Sequence, residues 1–285
     1  MKVVVIGGCG HIGTYLVPML VRGGYEVVSI TRGQSKPYED DFGWNRVKKV
    51  IMDRSKESDF ADKVLAMQPD IVVDLINFNV GDTQAMVKAL RNSSCSHYLF
   101  CSSCWAHGRA EILPVRPDDL RKEPLDDYGK HKFASELYLK DLWRKEGFPA
   151  TIIMPGQISG PGWSIINPWG NTSLRPFELA VRGEKILLPN FGMETLHHVH
   201  GYARLRFEFF NQKPQIDFLP WKEWCEYEGN KAECEHTYYH IARSGSYSIT
   251  KEEKLLDYHP KYTNVETIML AVQSYIEHGL IAVGK

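Results

Sequence analysis

The stretch VVVIGGCGHIGTYLVPML, residues 3–20, constrains the fold more than any other part of this chain. A valine-rich apolar run leads into Gly7, Gly10 and Gly13, and an apolar-periodic segment follows and ends at Arg22-Gly23-Gly24. Strand, glycine turn and helix in that order are the setting in which G-x-x-G-x-x-G cradles a dinucleotide pyrophosphate. One glycine permits the tight turn, a second lets the backbone approach the phosphates, and the last lets helix and strand pack closely. The N–H groups at the helix start then face the anion, where the helix dipole favours negative charge. Gly7, Gly10, His11, Ile12 and Gly13 are the candidate cradle. The alternative is a purely structural strand–helix turn.

The rest of the first half repeats the strand–helix theme. Strands are expected at Lys2–Gly7, Tyr25–Thr31, Arg46–Met52, Asp70–Leu75, His97–Ser102 and Ala150–Met154, each a short apolar run bounded by turn residues. Amphipathic helices are expected at His11–Arg22, Ser58–Gln68, Thr83–Asn92 and Tyr128–Glu146. This alternation predicts the α/β class: a doubly wound parallel sheet of Rossmann type with helices on both faces. After Gly156 the texture changes to Gly, Pro and Trp, with short helices expected at Phe177–Gly183, Thr250–Leu256 and Asn264–His278. The expected division is a dinucleotide-binding domain over 1–162, to which 194–203 returns. A smaller, interleaved C-terminal substrate lobe takes 163–193 and 204–285.

A length of 285 residues suits about two domains, and 43% hydrophobic residues supply a core. A net charge of −1 gives no whole-chain argument for nucleic-acid or membrane partners. No run approaches the length of a bilayer span, and the N-terminus has no signal-peptide pattern, so a cytoplasmic location is expected. Cys101 and Cys104 form a C-x-x-C among six cysteines, but no second Cys or His pair stands at finger spacing, so reduced thiols are expected. His197, His198 and His200 alternate along an expected strand with no carboxylate partner, and no metal is expected.

The end of the second strand selects the dinucleotide. An NAD site usually carries Asp or Glu there for the ribose 2′-OH. This chain has Arg32, 19 residues after Gly13, whose guanidinium suits a 2′-phosphate, so NADP is favoured over NAD. Asp53, after the third strand, is a candidate for the adenine amino group or for the N-cap of the next helix. Tyr128 and Lys132, four apart, share one helix face. An ammonium nearby and an oxidised nicotinamide would lower a phenol pKa by about 1–3 pH units, making Tyr128 a proton acceptor. A serine at the end of the fifth strand, Ser102 or Ser103, would hold the reacting oxygen.

Taken together, GGCGHIG, FCSSCWAHG, YGKHK, MPGQISGPG and ITKEEKLLDYHPKYT resemble the extended short-chain dehydrogenase/reductases, the NAD-dependent epimerase/dehydratase family, over nearly the whole chain. The resemblance implies Ser103 as the catalytic hydroxyl, with Ser102 and Gln157 on the substrate side. It assigns Lys132 to the nicotinamide ribose, Pro155 and Gly156 to the nicotinamide face, and Leu75, Ile76 and Asn77 to the passage of the fourth strand past the cofactor. It also implies a homodimer built on the Tyr128 helix. Two departures stand out. Glu194 occupies the region where nucleotide-sugar epimerases carry a diphosphate-gripping arginine, and LPWKEW offers only Lys222 as a later basic partner. After His200 a helix–strand unit of roughly 30 residues is missing. Either it is deleted, costing the sheet an edge element, or a mobile segment belongs there, which a strained 200–201 connection would mark; the second is favoured because the flanks read as intact.

The expected activity is hydride transfer between nicotinamide and a sugar-like hydroxyl or carbonyl carbon. The alternatives are an NADPH-dependent reductase of a non-nucleotide carbonyl compound, and a non-catalytic dinucleotide-binding sensor or RNA-associated relative.

Overall fold

The computed structural model describes residues 1–109, 112–119, 122–190, 196–243 and 245–283, with the backbone alone for 196–200. The chain forms two compact units: Met1–Gly108 with Leu120–Gly156, and Arg109–Asp119 with Gln157–Lys285.

The first unit is built on six parallel strands, β1 (Lys2–Ile6), β2 (Glu26–Thr31), β3 (Lys48–Ile51), β4 (Ile71–Asp74), β5 (His97–Cys101) and β6 (Ala150–Ile153). Their order is β3-β2-β1-β4-β5-β6, so the winding reverses between β1 and β4, where open α/β sheets place their ligands. Successive residues of one strand enter opposite cores, as a period of two requires. Val4, Ile6, Val28, Ile30 and Val72 pack with Phe60, Met86 and Leu139 on one face, while Val3, Val5, Val27 and Val73 pack with Val17 and Val21 on the other. The second face belongs to α1 (His11–Arg22) and the first to α2 (Phe60–Ala66), α3 (Val80–Leu90) and α4 (Asp127–Glu146).

Local chemistry sets the helix ends. Asp126 accepts a bond from the Gly129 N–H at 2.6 Å and starts α4, which stops at Gly147 in the left-handed region, φ +68°. Asn79 caps α3 by accepting from the Asp82 N–H at 2.8 Å, so this helix begins ahead of the expected Thr83. Asp59, not Asp53, occupies the N-cap position of α2.

The second unit contains α5 (Arg175–Val181), β7 (Ile186–Asn190), α6 (Leu196–Phe209), β8 (Ile216–Pro220), α7 (Trp221–Glu228), α8 (Lys231–Ile241), α9 (Thr250–Leu256) and α10 (Asn264–Glu277). β7 and β8 pair in parallel. Trp169, Trp224, Phe207, Ile186 and Leu188 form one core, and Phe177, Val272, Tyr275 and Ile165 another.

The division differs from expectation. The first unit ends at Gly156 rather than 162, the segment 109–119 joins the second unit, and the described residues 196–203 cluster with the second unit instead of returning to the first. The strand expected over 197–200 is helix, because α6 runs from Leu196 through the 200–201 junction. The backbone at the 200–201 junction is continuous helix. Among the described residues the large sheet has the six strands expected.

Candidate active site

The glycine turn closes over the end of β1. Gly7 takes φ +88°, a left-handed conformation that suits glycine, and a Cβ there would lie 2.7 Å from Ile76 Cγ2. A Cβ on Gly13 would stand 2.2 Å from the Gly8 carbonyl oxygen, so α1 can sit on the turn only because Gly13 has none. The N-terminus of α1 has no side-chain cap and no acidic residue in its first turn. His11 beside it is buried, and burial lowers its pKa, which keeps the ring neutral. Half-buried Ile12 completes the turn. Uncapped N–H groups, a positive dipole end and a cradle that methyl groups would fill match what a pyrophosphate needs. The residues therefore fit a dinucleotide.

On the rim, Arg32 is exposed just past β2. Asp53 accepts from the Ser55 N–H at 3.0 Å and the Ser55 hydroxyl at 2.7 Å, so it shapes the turn after β3 and caps no helix. These bonds lower its pKa, with Lys56 and Arg32 adding to the effect. Beneath the rim lies a polar network that sequence reading missed. Asp74, fully buried at the end of β4, accepts from Arg54 Nη2 at 2.7 Å, the Tyr98 hydroxyl at 2.9 Å and Asn77 Nδ2 at 3.2 Å. Arg54 Nη1 also donates to the Ile76 carbonyl at 3.3 Å, tying the loops after β3 and β4 together. Burial, reinforced by the Asp74 charge, pushes the Tyr98 phenol well above its ordinary value. The available signal was an aspartate closing the apolar run IVVD.

The catalytic candidates meet at the ends of β4 and β5. Lys132 is 2% exposed, and its Nζ donates to the carbonyls of Asn77 at 2.6 Å and Cys101 at 2.7 Å. Two N–H groups are thereby fixed, and the ammonium stands 5.6 Å from the centroid of the Tyr128 ring. Tyr128 is 38% exposed, and the neighbouring Ser103 hydroxyl acts to lower its pKa. Ser103 Oγ also accepts from the Trp105 N–H at 3.2 Å. Trp105 and Phe78 flank the phenol ring at centroid distances of 5.8 and 6.2 Å.

Burial moves both groups away from their ordinary values. Tyr128 lies above its ordinary pKa, because burial raises it more than the Ser103 hydroxyl lowers it. Lys132 lies below its own, again through burial. The lysine is held by backbone carbonyls and half faces Phe78 and Phe100, at 5.0 and 5.2 Å, so proximity to the phenol does not by itself produce the lowering expected.

The other sequence candidates fall into place around this pair. Leu75 packs in the core beside α1, Ile76 lies against Gly7, and the Asn77 carbonyl holds Lys132. The Pro155 carbonyl accepts from the Cys104 N–H at 3.0 Å, joining the exit of β6 to the serine turn, and Gly156 closes the first unit. Ser102 does not face the phenol: its hydroxyl donates to Glu136 Oε1 at 2.5 Å inside the protein, which leaves Ser103 as the hydroxyl beside Tyr128. Gln157 belongs to the second unit, where its amide donates to the Ile158 carbonyl at 3.2 Å. Cys101 and Cys104 are buried and in no disulfide, and among the described residues no group of three side chains is arranged to hold a metal. Glu194 and the side chains of His197, His198 and His200 lie outside the described residues. Trp224 is fully buried with its Nε1 donating to the Leu187 carbonyl at 2.9 Å, and Trp221 stacks on it at 5.5 Å, so both tryptophans pack the lobe. Lys222 is exposed on α7.

Comparison with known proteins agrees with this geometry. The profile of the NAD dependent epimerase/dehydratase family matches residues 3–175, and the chain belongs to that family. It is 26% identical to the Arabidopsis thaliana chloroplast stem-loop binding protein of 41 kDa b, over 91% of this chain and 66% of that protein. It is 27% identical to 2'-dehydrokanamycin reductase of Streptomyces kanamyceticus, over 55% of this chain and 43% of the relative. It is 24% identical to UDP-glucose 4-epimerase of Lactobacillus helveticus, over 56% of this chain and 52% of the relative. The chain thus spans between 43% and 66% of the length of these relatives. Among solved structures, UDP-glucose 4-epimerase of Thermotoga maritima with UDP-glucose superposes with a TM-score of 0.69 at 15% identity, covering 98% of this chain and 99% of that one. The Thermus thermophilus enzyme in complex with NAD gives 0.68 at 17% identity, covering 96% and 99%. These likenesses show the Rossmann-type fold. Among the described residues no helix is long and apolar enough to cross a membrane.

Proposed function

We propose that this chain is an NAD(P)-dependent oxidoreductase of epimerase/dehydratase type acting on a sugar-like hydroxyl or carbonyl carbon. The observation that carries the reading is the Lys132 ammonium 5.6 Å from the Tyr128 ring, with the Ser103 hydroxyl beside the phenol. A bound nicotinamide would supply the hydride acceptor or donor. Gly7, Gly10, His11, Ile12 and Gly13 would hold its pyrophosphate, Arg32 and Asp53 would flank the adenosine, and Leu75, Ile76, Asn77, Pro155 and Gly156 would line the way to the ring. Tyr128 takes the proton from the substrate hydroxyl, or returns it to a carbonyl oxygen, while Ser103 holds that oxygen in line. Lys132 adds positive charge beside the phenol and would offer its remaining N–H to the ribose.

The names of two relatives, UDP-glucose 4-epimerase and 2'-dehydrokanamycin reductase, support a sugar-like substrate. The presence of Tyr128, Ser103 and Lys132 together speaks against a non-catalytic sensor. The exposed guanidinium of Arg32 at the end of β2 supports NADP. The six cysteines, none of them in a disulfide, support a reducing, cytoplasm-like compartment. A homodimer through α4 is also part of the reading.

Two measurements test it. The dinucleotide released on denaturation, or bound on titration, identifies the cofactor; failure to bind either NAD or NADP would end the proposal. Turnover is then followed by nicotinamide absorbance across free and nucleotide-linked sugars. Tyr128→Phe is expected to reduce kcat by about 10²–10⁴-fold, and a variant within about tenfold of the parent would show that the phenol carries no proton.

A further inference from the structure

We infer that Glu136 is a positioning residue: anchored by Lys122, it acts through the Ser102 hydroxyl to aim Ser103 at the Tyr128 phenol. The inference rests on the proposed roles of Tyr128 and Ser103.

Tyr128, Lys132 and Glu136 follow one another at intervals of four along α4 and so form one stripe of that helix. The stripe faces three consecutive residues at the end of β5 and holds two of them by hydrogen bonds. Lys132 Nζ donates to the Cys101 carbonyl at 2.7 Å, Glu136 Oε1 accepts from the Ser102 hydroxyl at 2.5 Å, and the Tyr128 phenol lies by the Ser103 hydroxyl. The backbone here is extended, with Ser103 at φ −159° and ψ 151°, and side chains of successive extended residues point to opposite sides. Ser102 therefore points inward to the carboxylate and Ser103 outward to the phenol. Holding the Ser102 side chain fixes the twist of the segment, and with it the direction in which Ser103 leaves the backbone.

Glu136 is itself held. It is fully buried, and its Oε2 accepts from Lys122 Nζ at 2.8 Å, where the lysine side chain is 1% exposed. Lys140, one turn further along α4 and more exposed, lies 3.9 Å from the same oxygen. Lys122 stands where the chain re-enters the first unit after 109–119, beside the pairing of Gly108 with Glu123, whose N–H donates to the His107 carbonyl at 3.1 Å. A buried ion pair is a poor way to gain stability, since apolar residues of like volume often serve as well or better. Its position directly behind the two hydroxyls of the site points instead to geometry.

The test separates geometry from stability. The double variant Lys122→Met/Glu136→Leu replaces the pair by apolar side chains, Ser102→Ala removes the link alone, and Ser102→Thr restores a hydroxyl. The Tyr128 ionisation midpoint is read as the difference in tyrosinate absorbance between each protein and the same protein carrying Tyr128→Phe. Turning Ser103 away from the phenol should raise that midpoint by about one pH unit in Ser102→Ala and in the double variant, and Ser102→Thr should keep the parent value. Where turnover is measurable, kcat should fall about tenfold at unchanged KM. A midpoint and kcat that stay at parent values in both the double variant and Ser102→Ala would overturn the inference, whatever happens to the melting temperature. The midpoint is read without substrate or cofactor, so it fails independently of the Tyr128→Phe turnover test.

Discussion

At the scale of single residues, burial sets the protonation states more than spacing does. His240 on α8 is the clearest case outside the site. Burial, with the neighbouring His236 ring 4.5 Å away, lowers its pKa to about 4, although a bond to the His236 carbonyl opposes the change. An unfolded histidine titrates near 6.5. Between these two values the unfolded chain binds a proton that the folded chain does not, so stability falls as pH drops through that window and levels off below it. The loss is at most about 3 kcal/mol from this residue. Urea unfolding at pH 7 and near pH 4.5 should show the decline in the parent and a shallower one in His240→Phe; equal slopes in the two proteins would remove His240 as the cause. Tyr128 follows the same rule, and its place on the helix face was legible while its raised pKa was not, because desolvation depends on which side chains close around it. The choice between Ser102 and Ser103 was equally hidden: adjacent identical residues differ only in which way an extended backbone turns them.

At the scale of elements, the first unit was readable because its segments carry strong periodicity and end on distinct chemistry. α1 runs over the expected His11–Arg22, since the glycine turn opens it and Gly23 and Gly24 close it. The glycine turn also makes a sharp prediction. In Gly13→Ala the new methyl would lie 2.2 Å from the Gly8 carbonyl, so α1 must move off the sheet. Overpacking of this kind costs about 1–3 kcal/mol, and the displaced N–H groups should weaken dinucleotide binding at least tenfold. Denaturant unfolding and nicotinamide fluorescence titration check the two effects, and unchanged affinity would mean that the helix start does not hold the phosphates. The second unit was less readable for physical reasons. β7 and β8 are five-residue runs, ILLPN and IDFLP, too short for periodicity to separate them from loop. α8 reads KAECEHTYYHI, with weak amphipathic contrast, and its start depends on the Asn230 cap. Over 197–200 the histidine alternation suggested a strand, but four residues cannot outweigh the helical run that continues to Phe209.

At the scale of the whole molecule, the proposed homodimer is directly testable. α4 carries the half-exposed Leu137 and the 62% exposed Trp143, apolar side chains that a second copy would cover. Light scattering after size exclusion should report twice the chain mass, and Trp143→Glu should reduce it to a single chain; a parent that already runs as one chain would dismiss the dimer. Order along the chain was enough to determine the class of fold, the glycine cradle and the Tyr128–Lys132 pair, because each depends on residues close in sequence whose periodicity or helical spacing places them without further help. Only the tertiary structure decided what surrounds them. The Asp74–Arg54–Tyr98 network, the grip of Lys132 on two strand ends and the Lys122–Glu136–Ser102 chain join residues from different strands and loops. Such contacts arise from the order in which strands lie side by side, β3-β2-β1-β4-β5-β6, which local pattern does not encode.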